Sequence, residues 1–237
     1  MNNFLEAASI SHLYELFTVP GEMYFALNLI YVKFFDAVHK TDFGQGGKYG
    51  RLKQREIGTL EERANDYSAT PRCLINTLRQ LNITNQDSII DMGCGKGLAM
   101  YYMGKFPFRR IAGIELSEKL VAVAKINLKI LHVNKKKYNV ICADAGLYDG
   151  YDNYNFFYIY NSFPKQVIRE VVGKITESID RKPRKVIILY LYPEFPREIV
   201  RDRRFMLIKK GTKYEIRKGM HIYVNREYRD SQIFIER

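Results

Sequence analysis

Between residues 88 and 224 the chain alternates short apolar runs with segments whose apolar residues recur at helical spacing. The runs at 88–91, Arg110–Glu115, Tyr138–Asp144, Asn155–Tyr160, Lys185–Tyr192, Phe205–Ile208 and His221–Val224 read as strands, and Gln232–Ile235 is a further candidate. Between them, Met100, Tyr101, Tyr102 and Met103 mark one helix. Leu120, Ala124, Leu128 and Leu131 form an apolar stripe that predicts another, with Ser117 as its N-cap. Strands alternating with helices predict an α/β fold built on a largely parallel sheet. Upstream, the most apolar stretch, Tyr24–Phe35, is shorter than the roughly 20 residues that span a bilayer. It reads as a helix packing on the domain or on a partner subunit, with no membrane insertion. The glycine-rich stretch Phe43–Gly50 reads as a flexible linker, or as a loop that orders over a substrate.

The first strand runs from Asp91 straight into Gly93, Cys94, Gly95, Lys96 and Gly97. Glycines at this spacing turn the backbone tightly and let a ligand lie against the main chain. The dinucleotide fingerprint needs a further glycine where Leu98 stands, and a phosphate-binding P-loop needs a Gly-Lys-Ser/Thr that is absent. An ordinary glycine turn in another α/β fold is the alternative. The next strands argue against it. Glu115, followed by Leu116, lies 24 residues beyond Asp91, close to the place from which a carboxylate bonds both hydroxyls of a ribose. Asp144, followed by Ala145, closes the third strand. Three strand ends therefore carry an acid at the carboxyl edge, where such sheets bind ligands.

The Asp-x-Gly-x-Gly-x-Gly spacing resembles motif I of the class I S-adenosylmethionine-dependent methyltransferases. That resemblance implies a Rossmann-like, seven-stranded, mostly parallel sheet with helices on both faces, carrying an N-terminal helical extension. It implies S-adenosylmethionine as cofactor, with Gly93, Cys94, Gly95 and Gly97 around its methionine part and Asp91 holding the loop and the amino group. Glu115 and Leu116 would then border the ribose, and Asp144 and Ala145 the adenine. At the end of the fourth strand, Asn161-Ser162-Phe163-Pro164 resembles the Asn-Pro-Pro-Tyr motif of amino-directed members, with substitutions at every position after the Asn. Asn161 would orient a nitrogen acceptor beside the cofactor, and Phe163 would stack on a planar substrate; alternatively Asn161 caps the following helix, with Pro164 in its first turn. Tyr67-Ser-Ala-Thr70-Pro71 resembles a Tyr-x-Pro-Thr-Pro segment that borders the cofactor in a bacterial subgroup of poorly defined substrate, although Thr70 and Pro71 also make an ordinary helix start.

Composition adds bounds. With 237 residues, 46% of them hydrophobic, the chain holds one sizeable core, and the resemblance implies an extension over 1–65 followed by a methyltransferase domain over 66–237. Cysteines 73, 94 and 142 fall in core or cofactor-loop segments and suggest reduced thiols in a cytoplasmic protein, with Cys94 a small loop residue. The four histidines are scattered and predict no metal site. The net charge of +12 is uneven: Arg181–Arg237 holds 16 basic against 7 acidic residues. Lys209, Lys210 and Lys213 would border the substrate entrance, with Tyr214 and Tyr223 as aromatic surface, which makes nucleic acid a possible acceptor beside a small molecule or a protein side chain. Two further readings stay open, a cofactor-binding protein that has lost catalysis and a nicotinamide-dependent oxidoreductase.

Overall fold

The computed structural model describes residues 21–44, 72–209 and 219–235. A seven-stranded sheet organises them, in the order β3-β2-β1-β4-β5-β7-β6. Its strands are β1 (Ser88–Met92), β2 (Arg110–Glu115), β3 (Tyr138–Cys142), β4 (Phe156–Tyr160), β5 (Ile187–Leu191), β6 (Phe205–Lys209) and β7 (Met220–Asn225). The first five pair in parallel, and β7 runs antiparallel to both β5 and β6. The helices are α1 (Gly21–His39), α2 (Arg72–Leu78), α3 (Leu98–Met103), α4 (Glu118–Ile130), α5 (Lys165–Arg181) and α6 (Pro196–Ile199).

Every residue of β1, β5 and β7 is buried, because helices cover both faces of the sheet. On one face, α5 lays Val167, Ile168, Val171, Val172, Ile175 and Ile179 over Ile90, Phe157 and Ile188. That stripe recurs at three and four residues, the spacing of one helical face. On the other face, Leu74 and Leu78 of α2, Met100 and Met103 of α3 and Leu128 of α4 cover Ile89, Ile111, Phe156 and Leu189. Ser117 caps α4 as expected, its hydroxyl accepting the Leu120 amide at 3.3 Å. At the amino edge, Asn155 joins β1 to the start of β4 by accepting from the Ser88 amide at 2.8 Å and donating to Asp87 at 2.7 Å.

Several expectations are corrected here. Gln232–Ile235 forms no strand; it makes one bridge, Leu81 to Phe234, with Ile233 buried beneath. Tyr223 offers no aromatic surface, since its inward place on a covered strand leaves it 1% exposed. Lys209, expected at a substrate entrance, is engaged instead with Gln80 and lies over the Phe234 ring. Lys210, Lys213 and Tyr214 lie outside the described residues. Cys142 is exposed because β3 is an edge strand, whereas Cys94 is buried; all three cysteines are free. Phe43 and Gly44, read as the start of a linker, are docked: Phe43 is fully buried with Val32, Phe35, Leu98 and Tyr102. Among the described residues no helix is long and apolar enough to cross a membrane, and no group of His, Cys, Asp and Glu is placed to hold a metal ion.

Candidate active site

The parallel register sets the carboxyl ends of β3, β2, β1 and β4 side by side, so Asp144, Glu115, Asp91 and Asn161 stand in a row along one edge. The glycine turn after β1 is hung from β2: the amides of Gly93 and Cys94 both donate to the Ile114 carbonyl, at 2.9 and 3.0 Å. Gly93, Gly95 and Gly97 have φ of 79°, 51° and 88°, the left-handed region that side chains disfavour. The need is greatest at Gly93, where a Cβ would stand 2.5 Å from Cβ of Ser162. The loops after β1 and β4 are therefore in van der Waals contact. Cys94 turns down onto β2, where a side chain at Gly113 would collide with it at 2.6 Å. Burial raises its thiol pKa, helped by the negative charges of Asp91 and Glu115, which suits packing and opposes a nucleophilic role.

Glu115 is the hinge of the arrangement. One carboxylate oxygen accepts the Gly95 amide at 2.9 Å and the other accepts the Ser117 amide at 2.9 Å. Its orientation is thus set by the glycine loop and by the start of α4 together. Burial raises its pKa, opposed by these same backbone amides. Asp91 is buried beside it and pushed up to about 8, first by desolvation and then by the charge of Glu115. Two buried acids close together make a site that is short of positive charge. Asp144 is half-buried and accepts the Gly146 amide at 2.8 Å, while the carbonyl of the buried Ala145 accepts the Tyr151 hydroxyl at 2.6 Å. Leu116 is half-buried between Glu115 and the α4 cap.

Asn161 is half-buried with φ of 42°, an unusual conformation for a residue with a side chain. It does not cap α5, whose N-cap position is Pro164. Tyr192 has φ of 51° at the end of the neighbouring β5, and its ring meets Tyr160 edge-on at 5.6 Å. Phe163 departs from expectation: its side chain belongs to the core under α5 and is 6% exposed, so no ring face is left for a planar substrate. Tyr67 and Thr70 lie outside the described residues.

One cluster was not foreseen. Lys96, between the glycines, is 3% exposed and its ammonium meets Asp42 at 2.7 Å. Asn127 of α4 joins them, and it too is buried. A polar residue three positions after Ala124 and four before Leu131, on the inward face of the stripe, was the available signal.

The sheet order and the acid-tipped strands are those of the class I S-adenosylmethionine-dependent methyltransferase fold, and the family matched below makes S-adenosylmethionine the cofactor. Residues 50–168 match the family model of protein-L-isoaspartate(D-aspartate) O-methyltransferase, and the chain belongs to that family. A protein-L-isoaspartate O-methyltransferase of Helicobacter pylori is 26% identical over 117 residues, covering 48% of this chain and 56% of the relative. A ribosomal protein L11 methyltransferase of Desulforapulum autotrophicum is 24% identical over 151 residues, covering 63% of this chain and 48% of the relative. The chain thus spans about half the length of the curated relatives it matches. Among solved structures, a complex of MtNAS with S-adenosylmethionine superposes with a TM-score of 0.46 at 15% identity, covering 60% of this chain and 55% of the other. These comparisons support neither the oxidoreductase reading nor a loss of catalysis.

Proposed function

We propose that the protein transfers the methyl group of S-adenosylmethionine to a nitrogen acceptor oriented by Asn161. The observation that carries this reading is the placement of Asn161, held in a left-handed conformation at the end of β4, with the next residue packed against Gly93. The residues present suit the cofactor. Asp91 and Glu115 leave the cleft in want of a cation, which a sulfonium and an ammonium supply. A side chain at 93 would fill the gap between the loops. In this reading the backbone of 93–97 borders the methionine part, Asp91 its amino group, Glu115 the ribose and Asp144 the adenine.

Bound S-adenosylmethionine supplies an activated methyl on a cationic sulfur, so the protein has to supply geometry and a route for one proton. The Asn161 side-chain oxygen and the Ser162 carbonyl accept hydrogen bonds from the acceptor's N–H groups. They thereby aim its lone pair, and the displaced proton leaves to solvent. The basic surplus of the last quarter of the chain favours an acidic or phosphate-bearing acceptor, whether RNA, a small molecule or a protein.

Membership of an O-methyltransferase family favours a second reading, in which the acceptor is a carboxylate and the Asn161 amide donates to it. One experiment separates the two. Labelled methyl is transferred from the cofactor to cell extract, the extract is divided into RNA, protein and small-molecule pools, and each pool is treated with mild alkali. Nitrogen-bound methyl survives; a methyl ester releases its label as methanol and would overturn the nitrogen assignment.

A further inference from the structure

The glycine loop is tied to the N-terminal segment as well as to the sheet. Lys96 lies between Gly95, whose amide is bound to Glu115, and Gly97, which precedes α3. Its side chain is 4% exposed and Asp42's is 40% exposed, so the ammonium is withdrawn from water while the Asp42 carboxylate that meets it is only partly so. Burying an ammonium is costly unless it is paired. Asp42 is held in place by more than the ion pair. Its amide donates to Oδ1 of Asn127 at 2.9 Å, and Nδ2 of Asn127 donates to the carbonyls of Asp42 at 3.2 Å and Lys96 at 3.1 Å. The turn leading to it closes on Asp36, which accepts the Thr41 hydroxyl at 2.8 Å and the amides of Phe43 and Gly44 at 2.9 and 2.8 Å. Behind the turn, Val32, Phe35 and Phe43 pack on Leu98 and Tyr102, and the Tyr31 and Tyr102 hydroxyls meet at 2.5 Å.

A surface pair would need none of this scaffolding. The pair sits inside the loop that receives a cationic cofactor, where an uncompensated lysine would repel the ligand. We propose that Asp42 is a positioning residue that neutralises Lys96, allowing the glycine loop to accept the sulfonium form of the cofactor. The inference rests on the cofactor site described above. It makes the segment after α1 part of that site, acting through Lys96.

Charge neutralisation has a signature that simple bracing lacks. S-adenosylhomocysteine differs from the cofactor by the transferred methyl and the sulfonium charge, and the methyl difference is common to every variant, so a role in charge balance changes the affinities for the two ligands unequally. Calorimetric affinities of the full chain for both ligands test this in wild type, Asp42→Asn, Lys96→Met and the double variant. Asp42→Asn is expected to lose about tenfold in affinity for S-adenosylmethionine and much less for the thioether, a size set by one charge felt through partly buried surroundings. Adding Lys96→Met restores most of the loss. Lys96→Met alone, which leaves no cation to balance, shifts selectivity towards the sulfonium and serves where Asp42→Asn does not fold. Equal loss for both ligands, no recovery in the double variant, or unchanged selectivity would overturn the proposal. Wild-type protein that bound neither ligand would overturn the cofactor site itself.

Discussion

Gly93 and Ser162 come from the loops after β1 and β4, and a Cβ on Gly93 would stand 2.5 Å from Cβ of Ser162. The contact joins the glycine loop to the loop that carries Asn161. Gly93→Ala meets both this collision and a φ of 79°. It is expected to cost about 1–3 kcal/mol of stability in urea titration. Ser162→Gly added to it recovers only the part due to the collision.

Asn161→Gly separates strain from function. Glycine accepts a φ of 42° without penalty, so the variant is expected to be as stable as wild type or more stable by up to about 1 kcal/mol. Turnover at saturating cofactor should nevertheless fall at least tenfold, since the orienting side chain is gone. Wild-type turnover would reduce Asn161 to a turn residue.

Asp91 makes stability depend on pH with a definite sign. Its carboxyl is raised from 3.8 to about 8 in the folded protein, so the folded state holds a proton that the unfolded chain has released. The resulting stabilisation is complete below about pH 4 and is lost as pH rises through 8. Asp91→Asn stays neutral throughout. Free of cofactor, the variant should lose this decline and exceed wild type by more than about 1 kcal/mol above pH 8, read from thermal melts across the range. With cofactor the order reverses, because a bound ammonium favours the ionised carboxylate. Wild type should then release a proton on binding, seen as a calorimetric heat that varies with the buffer.

Glu115→Ala removes the acceptor for two backbone amides, at Gly95 and Ser117. Affinity for S-adenosylmethionine should fall at least tenfold by calorimetry. Glu115→Gln, which keeps the side chain's shape and one acceptor oxygen, should lose less. Equal affinity in the alanine variant would remove Glu115 from the ribose site.

The placement of the candidate site residues at the strand ends was legible because it is local. Asp91, the glycines and Glu115 follow from a strand ending in a polar turn, and a short apolar run states where the strand stops. Asp144 and Asn161 follow in the same way. Phe163 was misread because a residue two positions past Asn161 can turn to the cleft or to the core, and only the packing of α5 decides between them. Lys96 and Asp42 are 54 residues apart, and nothing in either neighbourhood points to the other. Asn127 was the one local trace of their meeting, a polar residue on an apolar face.

Hydrophobic period and the acids at strand ends were enough to establish the α/β class and the positions of the strands that form, though the same pattern also offered Gln232–Ile235, since a strand's extent and a turn's chemistry depend on neighbours in the chain. The contact of Gly93 with Ser162, the burial of Lys96 and the docking of the segment after α1 needed the folded molecule. Each joins residues distant in sequence, and their energies depend on which surfaces the sheet and its helices bring together and which they remove from water.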